Sequence, residues 1–150
     1  MRLNRRAVLA SAATGLVLAG TRRGFAAPEP VRIGVPTPLT GPYADVGNQA
    51  KRAVMFAIDE TNAAGGLAGR EMQVRFLDTE AKADLARQQA EKLALGGFNI
   101  LTATQTSGES LAIAPMLLRW NAMYVATISK ANDITGKSCS PRSFRVCHPD

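Results

Sequence analysis

Residues 31–70, VRIGVPTPLTGPYADVGNQAKRAVMFAIDETNAAGGLAGR, decide the fold. A short β-branched run, 31–35, enters a Pro/Gly turn, and the turn releases a long amphipathic pattern that stops at Asn62-Ala-Ala-Gly-Gly. This order reads as strand, turn and helix, with the turn free to act as a functional surface. The helix is expected over about 44–63, with Ala50, Ala53, Val54, Ala57 and Ile58 on one face and Lys51, Arg52 and Glu60 off it. Gly65 and Gly66 end it by accepting left-handed backbone, and Gly69 turns the chain into the next strand.

Outward from this unit the same alternation repeats. Residues 72–77 alternate Met72, Val74 and Phe76 against Gln73, Arg75 and Leu77, as a strand does. A helix is expected over about 83–95, with Leu85, Ala86, Ala90, Leu93 and Ala94 on its apolar face. A strand over 98–103, a helix over 110–121, a strand over 124–128 and a last strand over 144–147 follow. Strands alternating with helices through short connections predict the α/β class, a three-layer sandwich with a mostly parallel sheet. No internal repeat or low-complexity linker interrupts the pattern. Ligands of such open sheets bind at the carboxyl ends of the strands, which directs attention to loops 36–43, 104–108 and 129–135, all on one edge.

The chain has 150 residues, 46% of them apolar, enough for one domain with a core. Its net charge of +6 would suggest nucleic acid until it is located. Arg2, Arg5, Arg6, Arg22 and Arg23 all precede Ala27, no acid does, and removing these five leaves thirteen basic against twelve acidic residues. The body is nearly neutral, and nucleic acid is excluded as a partner. A basic start, an apolar run over 7–20 and small residues at Gly24 and Ala26 read as a signal peptide, 1–26, cleaved after Ala26. Asn4-Arg5-Arg6-Ala7-Val8-Leu9 also fits a twin-arginine signal, so both export routes stay open. In an oxidising compartment the even pair Cys139 and Cys147 favours a disulfide; the alternative is that each stays free or pairs elsewhere.

Three motifs carry a resemblance. The first is Pro38-Leu39-Thr40-Gly41-Pro42-Tyr43-Ala44, the second Thr106-Ser107-Gly108-Glu109-Ser110-Leu111-Ala112-Ile113-Ala114-Pro115. The third is Ser129-Lys130-Ala131-Asn132-Asp133-Ile134-Thr135-Gly136-Lys137, followed by Phe144-Arg145. In this order they resemble the amino-terminal lobe of the type I periplasmic solute-binding proteins, the leucine-binding-protein-like receptors of ABC importers for branched-chain amino acids, amides and related solutes. The resemblance implies that residues 27–150 form that lobe and stop before the second one. It implies capture of a small solute in the periplasm, delivery to ABC permease subunits in the membrane, no enzymatic activity and no cofactor. Tyr43 would sit at the pocket rim, Ser107 and Gly108 would meet a ligand carboxylate at a helix start, and Ser129, Lys130 and Ala131 would form a second ligand loop. Lys130 turned inward would favour an anionic solute; turned outward it is an ordinary solvated lysine. Where relatives end the third strand in a Gly pair, this chain has Ala103-Thr104, which tightens that loop.

Rival chemistries fit less well. Gly65-Gly66-Leu67-Ala68-Gly69 follows a helix and precedes a strand, the reverse of a dinucleotide loop. Ser107 lacks the flanking glycines of a nucleophile elbow, and the one histidine, His148, is near the chain end. Cys139, Cys147 and His148 are too few and poorly spaced for zinc. Two further readings remain: a truncated remnant without a transport role, and a ligand-sensing receptor lobe.

Overall fold

The computed structural model describes residues 28–149, and the expected leader lies outside them. The chain runs β1 (Val31–Thr37), α1 (Ala44–Ala63), β2 (Met72–Asp78), α2 (Ala83–Leu95), β3 (Ile100–Thr102), α3 (Ser107–Ile113), β4 (Met123–Ala126) and β5 (Ser143–Arg145). The five strands form one sheet in the order β2-β1-β3-β4-β5, every neighbouring pair parallel. The α/β class and the parallel sheet expected from the alternation are therefore present. From β1 the chain crosses by α1 to β2, then back by α2 to β3 on the other side of β1. Right-handed crossovers in opposite directions put α1 on one face and α2 and α3 on the other. The connections diverge between β1 and β3, and the crevice at such a switch point is where open sheets bind ligands.

α2 packs on β1, β2 and α3. Four of the five residues of its expected apolar face are sealed: Ala86, Ala90, Leu93 and Ala94 are buried with Leu101, Ile113, Leu117, Trp120, Tyr124 and Ile134 in one cluster, while Leu85 is half-buried. The left-handed ending of α1 is also as expected, with φ of 100° at Gly65 and 80° at Gly66.

Several boundaries differ from the sequence reading. α3 begins three residues before the expected 110 because Thr106 and Glu109 form a capping box, each side chain bonded to the other's backbone N–H. It tightens after Ile113 into a 3-10 turn over Ala114–Met116, where Pro115 has no N–H to continue an α-helix. β3 is shorter than 98–103, and beyond it Ala103 takes a left-handed φ of 63° that leaves the strand conformation. β4 and β5 each start one residue before and end two before the expected 124–128 and 144–147; Met123 of β4 pairs with β3, and the three residues of β5 are those that pair with β4. The stripe of α1 is largely uncovered: Ile58 is buried, whereas Ala53 and Ala57 are exposed. The helix contacts β2, leaving a trough of about 320 Å³ between Ala53 and Ala57 on one side and Thr102, Thr127 and Ile128 on the other.

Candidate functional site

The first strand-end loop is held from two sides. Gly47, in the first turns of α1, lies so close to it that a methyl group there would stand 1.6 Å from the Pro38 carbonyl oxygen. From β2, the Asp78 carboxylate accepts hydrogen bonds from the backbone N–H of Leu39 (2.8 Å) and Thr40 (3.3 Å) and from the Thr40 hydroxyl (2.5 Å). Desolvation pushes the Asp78 pKa up, but the Thr40 hydroxyl and the N–H groups of Glu80, Leu39 and Thr40 outweigh it and lower the value from 3.8 to about 2. At the end of this loop Tyr43 is 49% exposed and lines a groove of about 420 Å³ with Val46, Gln105 and Ile128. A larger depression of about 530 Å³, between Asn48 and Asp59, belongs to the outer side of α1 alone and has no opposing wall.

The second loop is built on buried polar groups. Thr106 rather than Ser107 caps α3, so Ser107 is the first helical residue and its hydroxyl is not engaged as the cap. That hydroxyl accepts a hydrogen bond from Ala131 N at 3.2 Å, joining the second loop to the third. A second connection lies beneath it. Ser129 is 2% exposed, accepts from the Ser110 hydroxyl at 2.5 Å and donates to the Thr106 carbonyl at 3.1 Å. Thr104 and Tyr124 complete this hydroxyl cluster, with Thr104 Oγ1 2.5 Å from Tyr124 Oη and 2.8 Å from Ser110 Oγ. Burial pushes the Tyr124 phenol above its ordinary pKa, against the opposite pull of the Ser110, Thr104 and Ser129 hydroxyls.

Placed against the sequence reading, Tyr43, Ser107, Gly108, Lys130 and Ala131 all lie on the carboxyl edge of the sheet, and Ser107 and Ala131 touch. Ser129 is enclosed: its hydroxyl lies between α3 and the third loop and bonds the loops to each other. The Ala131 N–H is likewise engaged, with Ser107. The Lys130 side chain is exposed, while the Lys130 and Ala131 carbonyls accept from Arg145 Nη1 at 3.0 and 3.1 Å.

Of the two states left open for Cys139 and Cys147, the structure has them unbonded, Cys139 exposed and Cys147 with its Sγ 3.3 Å from the Ser129 carbonyl.

Asp78, Gly47 and Glu109 are site-building residues that the sequence reading does not single out. A glycine inside a helix pattern is a signal for close approach, and Thr106-x-x-Glu109 is a capping-box signature. No comparable local signal marks Asp78.

An open α/β sheet with three loops converging at a switch point is an arrangement in which such sheets bind ligands. A family model described as periplasmic binding protein matches residues 30–149, and the chain belongs to that family, in its type I, leucine-binding-protein-like branch. The chain is 28% identical over 120 residues to the Leu/Ile/Val-binding protein BraC3 of Rhizobium johnstonii, covering 80% of this chain and 32% of that one. It superposes with a TM-score of 0.72 and 25% identity on an ABC-type branched-chain amino acid transporter protein from Rhodopseudomonas palustris, covering 79% of this chain and 33% of that one. The fold is also that of a branched-chain amino acid transporter substrate binding protein from Streptococcus pneumoniae in complex with isoleucine. There the TM-score is 0.74, the identity 20%, and the shares covered are 80% and 34%. The chain thus spans about a third of the length of the relatives it matches. The family is one of substrate-binding proteins of transporters rather than of enzymes.

Proposed function

We propose that residues 27–150 are the amino-terminal lobe of the extracytoplasmic solute-binding component of an ABC importer, taking branched-chain amino acids or similar small carboxylate or amide solutes. The observation that carries this reading is the pairing of Ser107 with Ala131, which joins the second and third loops two residues from Gln105 and three from Ile128, both of which line a groove with Tyr43. Because Ser107 Oγ accepts from Ala131, its own proton is available to a carboxylate or amide oxygen, and Gly108 follows it at the exposed start of α3. Tyr43 and Ile128 supply apolar surface for the body of the solute, and Gln105 a polar limit. Lys130, exposed on the same edge, lends positive charge without closing on a single partner. Delivery to membrane permease subunits completes the role, with no chemical step on the solute.

Calorimetric titration of the exported protein with leucine, isoleucine, valine and their amides tests this. Binding at about micromolar strength is expected, weakened about tenfold in Ser107→Ala. A folded protein that takes up none of these solutes overturns the reading. Export is tested by intact mass: the reading requires a mature chain beginning at Ala27, and retention of residues 1–26 contradicts it.

A further inference from the structure

We propose that Thr79 and Glu109 are positioning residues of the solute site, a buried tie that holds the first and second strand-end loops in register. Glu109 has no exposed surface, and a carboxylate in that position requires donors. Oε1 takes the Thr79 hydroxyl, and Oε2 takes Gln105 N (3.1 Å), Thr106 N (2.9 Å) and Thr106 Oγ1 (3.0 Å). None of the ion pairs among the described residues includes it. A capping box needs only the contacts to Thr106. The bond to Thr79 goes beyond the box, reaching another element thirty residues away in sequence.

Thr79 is the next residue after Asp78, which holds Leu39 and Thr40, and Thr79 N itself donates to the Thr37 carbonyl at 3.2 Å. The result is one relay: first loop, Asp78, Thr79, Glu109, second loop. Ser107 follows Thr106 at one end, and Tyr43 follows Thr40 by three residues at the other. The separation of a hydroxyl donor from an aromatic wall is thereby set through a buried, charge-assisted contact rather than through the exposed groove.

The tie is tested by NMR-detected amide exchange in the solute-free protein, comparing Thr79→Val, which removes the hydroxyl at nearly constant volume, with Thr79→Ser, which restores it. Exchange at Leu39, Thr40, Gln105 and Thr106 is expected to quicken about tenfold in the valine variant and to return with serine. Uniform quickening of every amide, or quickening confined to one loop, overturns the proposal. Asp78→Asn, at a partly exposed end of the relay, covers the case in which the valine variant does not fold: Gln105 and Thr106 must respond to it, and their indifference refutes the tie. A binding arm rests on the function proposed above. With leucine as probe, Thr79→Val and Ser107→Ala should weaken affinity less together than the product of their separate effects; independent effects refute the tie. If leucine binds no variant, the wild type included, the solute assignment fails while the exchange result still decides the tie.

Discussion

On the α2 and α3 face of the sheet, Leu93, Leu101, Ile113, Leu117 and Tyr124 have no exposed surface. On the α1 face, Phe56 is 70% exposed, Val54 is half-buried, and the small residues of the helix look across a trough toward Thr127 and Ile128. Both helices have a similar apolar period in sequence, so the difference comes from what lies opposite. α2 is backed by the sheet and flanked by α3, whereas α1 has β2 beneath it and no helix of the described residues beside it. An amphipathic pattern specifies which side of a helix is suited to burial; the neighbours decide how much of it is buried.

The largest test of this contrast is a paired truncation. Leu93→Ala should destabilise the chain by about 2–5 kcal/mol, while Val54→Ala should cost less than about 1 kcal/mol, because only the first leaves a cavity in an enclosed cluster. Urea unfolding of the two variants measures both values. Equal losses would mean that the α1 face is sealed in solution as firmly as the other.

The contrast also explains what could be read in advance. The bounds of α1 and α2 agree with the expected 44–63 and 83–95 because their ends are local: Gly65 and Gly66 follow one, and Gly96 and Gly97 the other. For α3 the apolar period points to a late start, and the capping box moves it forward to Ser107. The choice of carboxyl-edge loops follows from topology alone and places Tyr43, Ser107 and Ala131 correctly on that edge. The burial of Ser129 could not be read this way. It depends on Thr104, Ser110 and Tyr124 meeting in space from three separate elements, and a serine carries no sequence mark of that company. For Glu109 the capping-box spacing shows in the sequence, but its complete burial does not, since glutamate is ordinarily a surface residue.

α1 is not loose along its whole length, and its first turns sharpen the comparison. A Cβ at Gly47 would collide with the Pro38 backbone, which cannot rotate away as a side chain could. Gly47→Ala should therefore cost about 1–3 kcal/mol despite the better helix propensity of alanine. Chemical-shift changes at residues 38–43 would report the displaced loop. A stabilised variant with an unmoved loop would show that the close approach is absent.

Asp78 holds the same loop from the other side, but at a partly exposed position, so its contribution is smaller. Its pKa is lower in the folded chain, about 2 against 3.8, so the contribution is complete above pH 3.8 and disappears as pH falls toward about 2. Solvent screening limits it to about 1 kcal/mol or less. Asp78→Asn should remove this much stability at neutral pH and flatten the acid limb of the stability curve over that window. An unchanged acid limb would mean that the bonds to Leu39 and Thr40 do not persist in solution.

The smallest effect is expected away from both faces, in the turn between α1 and β2. Ala68 is exposed and left-handed, with a φ of 53°. An L-residue with a side chain is disfavoured in that conformation by about 1–2 kcal/mol. Glycine relieves that strain but gains about 0.4–1 kcal/mol of unfolded-state entropy, and no buried methyl is lost on substitution. Ala68→Gly should thus stabilise the chain by about 0.5 kcal/mol, read as a small rise in the urea midpoint with an unchanged slope. Neither sheet face takes part, so this variant also serves as the control for the first pair: a comparable gain from Leu93→Ala or a large loss from Ala68→Gly would mean that stability in this chain is not apportioned by enclosure.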